Sequence, residues 1–296
     1  MAFWQLTVAS SPESTDGLTN FLWEQGALGV VEEETPPDPA RLRAFFPETA
    51  SSTALMSAVR AYCASLRSLG LSGAAAEPEI SPLLDAAWAS AWQQSFPARA
   101  IGERLLVRPP WESDLGANGR LVVIIEPGRA FGTGHHGSTE GCLVLLERAL
   151  AGRAGARVLD VGTGSGILAV AAIKLGAGSA LGIDVDPDAT SAARTNAERN
   201  GCEDRIEIAL AGPETLTGEA FPVAVANLLT HTHLALAPIY ARLVAPGGAL
   251  VLGGILAEED PQVTGALEAA GFIQRDRVVL EGWSSLRLDR LPAPRP

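Results

Sequence analysis

The stretch Val158-Leu159-Asp160-Val161-Gly162-Thr163-Gly164-Ser165-Gly166 sets an acid and three alternating glycines at the end of an apolar run. Glycines let the chain turn sharply and let a ligand lie against bare backbone. The Gly-x-Gly-x-Gly spacing departs from the Gly-x-Gly-x-x-Gly pattern that seats a pyrophosphate at a helix N-terminus. Asp160 would repel a pyrophosphate, yet it can receive a cationic amino group, directly or through water. S-adenosylmethionine carries an ammonium, a sulfonium and no phosphate, so the charges favour it over NAD. The next apolar run ends Gly182-Ile183-Asp184-Val185-Asp186. A carboxylate at that strand tip, Asp184, can accept hydrogen bonds from both ribose hydroxyls. Asp186 falls in the turn beyond, where it can cap a helix opening with Pro187. Glycines alone could mean a tight strand-helix turn. With both acids in register they point to a cofactor site at Asp160, Gly162, Gly164 and Asp184.

Two further groups could take part. Asn227, at the end of a later strand, offers a side-chain carbonyl that can hold a neutral amine by its N–H without ion pairing. By itself it reads first as a turn residue bonded to its own backbone. The segment Phe131-Gly132-Thr133-Gly134-His135-His136-Gly137-Ser138-Thr139 combines hinge glycines, an apolar wall in Phe131 and a hydroxyl in Thr139. Such a loop can close over a cofactor, and Thr139, at a helix start, suits a ligand contact or an N-cap. His135-His136 and the His231, His233 pair invite a metal reading. No Cys or acid stands at a helpful spacing, so no metal is expected, and the imidazoles are assigned to the mouth of the cofactor site. The three cysteines, Cys63, Cys142 and Cys202, are odd in number and scattered, which argues against a disulfide framework.

Alternating elements must carry these residues. From residue 98, strands at Leu105–Val107 and Leu121–Glu126 precede the Phe131 loop. Strands at Arg157–Val161, Ala180–Asp184, Ile206–Ala209, Val223–Ala226 and Ala249–Gly253 are then interleaved with helices at Ile167–Leu175, Pro187–Asn200, His233–Leu243 and Glu258–Ala270. Phe272–Leu280 and Trp283–Arg290 read as an antiparallel hairpin. The pattern predicts an α/β domain with a mostly parallel sheet and ligands beyond the carboxyl ends of its strands. Residues 1–80 read as a small α+β unit, with a strand at Trp4, Leu6 and Val8 and a helix at Ser14–Gln25. A strand at Ala27–Glu33, an apolar piece at Leu42–Phe46 and a helix at Ser52–Ser68 complete it. The Gly-, Ala-, Ser- and Pro-rich stretch 70–82 is the linker candidate, followed by a linker helix over 81–97 carrying Trp88 and Trp92.

Charge narrows the partners. The 296 residues hold 34 acidic and 22 basic side chains, a net of −12. Phosphate neutralisation needs a cationic face, so broad nucleic-acid binding is not expected. Residues 1–97 contain 11 acids against 4 bases, a net of −7, which suits a cationic partner. The N-terminus lacks the pattern of a secretory signal, and no apolar stretch is long enough to span a bilayer, so a cytoplasmic protein away from membranes is expected.

The chain resembles the PrmA family, the methyltransferases of large-subunit ribosomal protein L11. The resemblance runs through Glu126-Pro127-Gly128-Arg129-Ala130-Phe131 to Thr139, the glycine loop, Asp184, Ala226-Asn227-Leu228-Leu229 and Pro246-Gly247-Gly248. Trp4, Gly26-Ala27, Trp92 and Arg108-Pro109-Pro110-Trp111 suit its N-terminal domain and junction. It implies a class I methyltransferase domain behind a small, ferredoxin-like substrate-recognition domain. It also implies transfer from S-adenosylmethionine to lysine and N-terminal amines of the ribosomal protein. Carried over, the family's cofactor contacts fall on Thr139, Gly162, Asp184 and Asn227, and Asn227 becomes the catalytic acceptor. Ser138 stands where a Thr is usual, Pro222 where an Asp is, and Gly253 where a Ser is. A lysine methyltransferase for another protein, such as an electron-transfer flavoprotein subunit, is the alternative within the class. An NAD-dependent oxidoreductase is disfavoured by the glycine spacing and by the lack of a hydride-site His or Tyr-Lys pair. A silent binding module would have lost Asn227 or the loop.

Overall fold

The computed structural model describes residues 2–11, 14–27, 29–33, 41–68, 77–84, 96–113, 117–127, 132, 134, 136–218 and 220–292. The chain divides into two compact units, residues 1–97 and 98–296. In the first, β1 (Ala2–Ala9), α1 (Thr15–Glu24), β2 (Gly29–Glu33), β3 (Arg41–Pro47), α2 (Ser52–Ser68) and β4 (Glu79–Leu84) follow in order. The sheet runs β2-β3-β1-β4 with all neighbours antiparallel, which is the ferredoxin-like split βαβ arrangement. Leu55, Val59, Cys63 and Leu66 recur at helical spacing along α2 and share a core with Leu6, Val8, Leu18, Leu22 and Leu42. Residues 79–84, expected within or beside the linker, instead form a strand on β1. Pro82 made that run look like a linker, but an edge strand has an outer side on which a missing N–H breaks no ladder. Residues 85–95, with Trp88 and Trp92 of the expected linker helix, lie outside the described residues.

The second unit opens with a three-stranded sheet of β5 (Arg99–Ile101), β6 (Leu105–Arg108) and β7 (Leu121–Ile124). At three residues, β5 was too short for its alternation to show in the sequence. Then come α3 (Gly137–Leu150), β8 (Arg157–Val161), α4 (Ile167–Lys174), β9 (Ser179–Asp184), α5 (Pro187–Arg199) and β10 (Ile206–Leu210). The chain continues through β11 (Phe221–Asn227), α6 (Thr230–Leu243), β12 (Val244–Leu256), α7 (Asp260–Ala269), β13 (Phe272–Leu280) and β14 (Trp283–Arg290). The large sheet is ordered β10-β9-β8-β11-β12-β14-β13. Its first five strands are parallel, and the final hairpin is antiparallel. The chain lays β8, β9 and β10 outward in one direction, then returns to place β11 on the other side of β8. That reversal opens a crevice beyond the carboxyl ends of β8 and β11.

Apolar residues on both sides of the sheet explain the near-continuous hydrophobic runs of its strands. Val158, Val223 and Val251 pack with Leu143, Leu146 and Val170 of α3 and α4. Leu159, Ala224 and Leu250 pack on the opposite side with Tyr240, Leu243, Val263 and Leu267 of α6 and α7. Strands β11 and β12 both exceed their expected spans, because Phe221 pairs with Val244 ahead of a register shift to Val223 and Ala249. The shift falls at Pro222, which has no N–H to donate. Among the described residues no helix is long and apolar enough to cross a membrane.

Candidate active site

Strand β8 delivers the glycine loop. Gly162, Gly164 and Gly166 have φ of 70°, 53° and 81°, a left-handed conformation that side chains rarely adopt. A Cβ on Gly162 would lie 2.6 Å from Leu228 Cδ2, so the ends of β8 and β11 meet there. Asp160 is fully buried beneath the loop. Its Oδ2 accepts hydrogen bonds from Thr163 Oγ1 at 2.7 Å and the Ala169 amide at 3.1 Å, tying the loop to the first turn of α4. Its Oδ1 is buried without a partner. Burial pushes the Asp160 carboxyl up to about 7, with its hydrogen bonds to Thr163 and Ala169 opposing the shift.

Asp184 ends β9 as expected. Its Oδ2 accepts the Gly164 amide at 2.9 Å and its Oδ1 accepts the Asp186 amide at 3.1 Å. The carboxylate is thus aimed across the loop, with lone pairs left on both oxygens. Asp186 caps α5 by accepting the Asp188 amide at 2.8 Å, ahead of Pro187. Val185, between the two acids, is 75% exposed, and Leu210, opposite Asp184 on β10, is also exposed. These are apolar faces next to the strand-tip carboxylate.

Asn227 ends β11 opposite Gly253 of β12. Its Nδ2 donates to Thr139 Oγ1 at 3.2 Å, while its Oδ1 is buried with no partner. The turn reading, in which the side chain bonds its own backbone, therefore does not hold. Cβ atoms on Gly253 and Gly254 would stand 3.2 and 3.0 Å from that Oδ1, so the two glycines leave the carbonyl its space. A Cβ on Gly253 would run into Cys142 Sγ, which fills volume that a Ser there would need. Thr139 is fully buried within α3, and the N-cap is His136, whose ring accepts from the Ser138 amide. The Thr139 hydroxyl is thereby available to Asn227 and does not cap the helix. Phe131, Thr133 and His135 lie outside the described residues.

The remaining histidines have separate places. His231 is exposed, whereas His233 is fully buried. The neutral ring of His233 donates from Nε2 to the Gly253 carbonyl at 2.8 Å and accepts at Nδ1 from the Tyr240 hydroxyl at 3.0 Å. Burial pushes it down to about 4, opposed by its backbone hydrogen bonds at Gly253 and Leu228. The Leu228 amide donates to the same Gly253 carbonyl at 3.1 Å, so His233 braces the turn that follows Asn227. Among the described residues no three His, Cys, Asp or Glu side chains gather as metal ligands.

Sequence reading missed Asn196 and Ser165. Asn196 and Asn200 follow Ala189 and Ala193 at helical spacing on one face of α5, and all four are buried. Two asparagines on an otherwise apolar face were the available signal. The assembled site offers a left-handed glycine cradle, a partnerless carboxylate oxygen below it, an acid at the next strand tip and a partnerless amide carbonyl. A cationic, phosphate-free nucleoside satisfies those groups, and a pyrophosphate does not.

A seven-stranded sheet with a reversed final hairpin and a glycine loop at its switch point defines a class I methyltransferase. The family description "Ribosomal protein L11 methyltransferase (PrmA)" matches residues 2–290, and the chain belongs to that family. A relative named ribosomal protein L11 methyltransferase from Syntrophotalea carbinolica is 38% identical over 96% of this chain and 97% of its own. One of the same name from Pelotomaculum thermopropionicum is 35% identical over 97% and 98%. The crystal structure of a ribosomal protein L11 methylase from Lactobacillus delbrueckii subsp. bulgaricus superposes with a TM-score of 0.61 at 30% identity. It covers 66% of this chain and all of that one. The protein is an S-adenosylmethionine-dependent methyltransferase.

Proposed function

We propose that the protein methylates lysine side-chain and N-terminal amines of ribosomal protein L11 in the cytoplasm, free or on the ribosome. The observation that carries the reading is the buried, partnerless Oδ1 of Asn227 beside the glycine loop. S-adenosylmethionine, when bound, supplies a methyl on a sulfonium, a good leaving group, so positioning outweighs acid-base catalysis. Asp160 Oδ1 would take its ammonium, the Gly162–Gly166 backbone its length, and Asp184 its ribose hydroxyls. Val185 and Leu210 offer apolar faces to the adenine, and the Thr139 hydroxyl holds the Asn227 amide in place.

An incoming lysine amine has an unperturbed pKa of about 10.4, and an α-amine one of about 8, so each must shed a proton before its lone pair can react. Burial beside a positive charge lowers either pKa. Asn227 Oδ1 accepts an N–H of the neutral amine and turns its lone pair toward the methyl. Being uncharged, it gains nothing by holding an ammonium, which suits repeated methylation of one nitrogen. Leu229, 55% exposed beyond Asn227, would offer an apolar face to the amine's aliphatic stem. The acidic first unit would hold the cationic substrate. Incubating the protein with labelled S-adenosylmethionine and total ribosomal proteins, then mapping the modified one by mass, tests the reading. Label on lysines of L11 is expected, and label confined to another protein overturns it.

A further inference from the structure

Helix α5 is joined to the cofactor loop by a chain of buried polar contacts that the reaction itself does not account for. Asn196, 2% exposed, donates from Nδ2 to the Ser165 carbonyl at 2.9 Å, and Ser165 belongs to the glycine loop. The Asn196 Oδ1 accepts the Glu126 amide at 3.1 Å and Arg199 Nη1 at 3.0 Å. Arg199 Nη2 in turn bridges the Glu126 carboxylate at 2.6 Å. The Ser165 hydroxyl donates to the Gly132 carbonyl at 2.7 Å. Glu126 and Gly132 are therefore both held to the glycine loop, the first through Asn196 and the second through Ser165.

Packing reinforces this arrangement. A Cβ on Gly166 would stand 3.1 Å from both Cα and Cβ of Ala193, one turn before Asn196, so α5 backs directly onto the loop. A Cβ on Gly132 would stand 2.9 Å from Ser165 Oγ, so the Gly132 backbone lies directly against that side chain. Asn200 offers an internal comparison. At the C-cap of α5, it joins the helix to the end of β7, accepting the Ile124 amide at 2.9 Å and donating to the Ile124 carbonyl at 2.7 Å. It has no contact with the glycine loop among its hydrogen bonds to Ile124 and Asn196.

The geometry points to Asn196 and Ser165 as positioning residues for the cofactor, setting Glu126 and Gly132 in register with the glycine loop. This rests on the assignment of that loop to S-adenosylmethionine, and binding of S-adenosylhomocysteine by the unaltered protein tests the assignment separately. The experiment measures dissociation constants for S-adenosylhomocysteine by calorimetry, and melting temperatures, for the full chain and for Ser165→Ala, Asn196→Ala and Asn200→Ala. Ser165→Ala and Asn196→Ala are expected to weaken binding about tenfold or more. Asn200→Ala should lower the melting temperature and leave binding within about twofold. Near-normal binding by Ser165→Ala overturns the proposal, and so does a loss in Asn200→Ala equal to that in Asn196→Ala. If Asn196→Ala does not fold, Ser165→Ala decides alone.

Discussion

Replacing Asp160 by Asn should strengthen the fold and weaken cofactor binding, opposite signs that a merely structural carboxylate would not produce. Burial lifts the Asp160 carboxyl from 3.8 to about 7 in the folded protein. A folded-state pKa raised above the unfolded one leaves stability intact below about pH 4 and removes it as pH climbs through 7. Roughly three units at about 1.4 kcal/mol each set an upper bound near 4 kcal/mol for the cost of ionising the group. The Asn carbonyl keeps both acceptor roles of Oδ2 toward Thr163 and Ala169. Its amide nitrogen takes the place of the partnerless Oδ1, at a cost of about 1–3 kcal/mol if unpaired. Asp160→Asn should therefore melt roughly 2–10 °C above the unaltered protein at pH 8 and no higher than it at about pH 4. The opposing contribution of His233 is common to both proteins and cancels. Loss of the charge facing the ligand ammonium, worth about 1.5–3 kcal/mol, should weaken S-adenosylhomocysteine roughly 10- to 150-fold. Binding to the unaltered protein near pH 7 should release about half a proton from Asp160. The dependence of calorimetric enthalpy on buffer ionisation reads that release, which the variant should lose. If Asp160→Asn loses equal stability at both pH values and binds the ligand normally, Asp160 is a brace and the charge argument is wrong.

Asn227→Ala should fold and bind S-adenosylhomocysteine, yet lose about 100-fold or more in kcat, because a misaligned amine forfeits most of the advantage of positioning. Near-normal turnover by a folded variant contradicts the acceptor role. Thr139→Ala removes the hydroxyl that orients Asn227 and should lower kcat severalfold, while S-adenosylhomocysteine binding, by calorimetry, and melting change less. Tyr240→Phe leaves His233 Nδ1 without its donor and should cost about 1–3 kcal/mol in denaturant unfolding at pH 7. His233's own contribution, from a pKa held down near 4, is fully present above about pH 6.5 and is lost as pH falls toward 4. KM for the protein substrate should rise with ionic strength while S-adenosylhomocysteine affinity changes less, if the acidic first unit holds a cationic partner. A salt-independent KM would assign the −7 to solubility.

Much of the fold was legible because periodicity survives burial. The strands Arg157–Val161, Phe272–Leu280 and Trp283–Arg290 and the helix Ser52–Ser68 stand where the alternation placed them. Strand β4 was hidden by Pro82 in a composition typical of linkers, and β5 by its length. At the site, Asp184, Asp186 and the glycine loop could be read from a single local segment each. The aim of Asn227 could not, since it depends on Thr139, 88 residues away in sequence, and on the space left by Gly253 and Gly254.

Residue types and their spacing thus determined that this chain would form a parallel sheet with a glycine loop and two strand-end acids at its switch point. Backbone turns, caps and strand tips are local, and local chemistry is written in consecutive residues. Tertiary structure decided which polar atoms remain without partners, Asp160 Oδ1 and Asn227 Oδ1 among them. It also turned Asn196 from one more helical asparagine into the link between two loops. A buried polar atom is satisfied or left open by groups far away in the chain, and only folding brings those groups together.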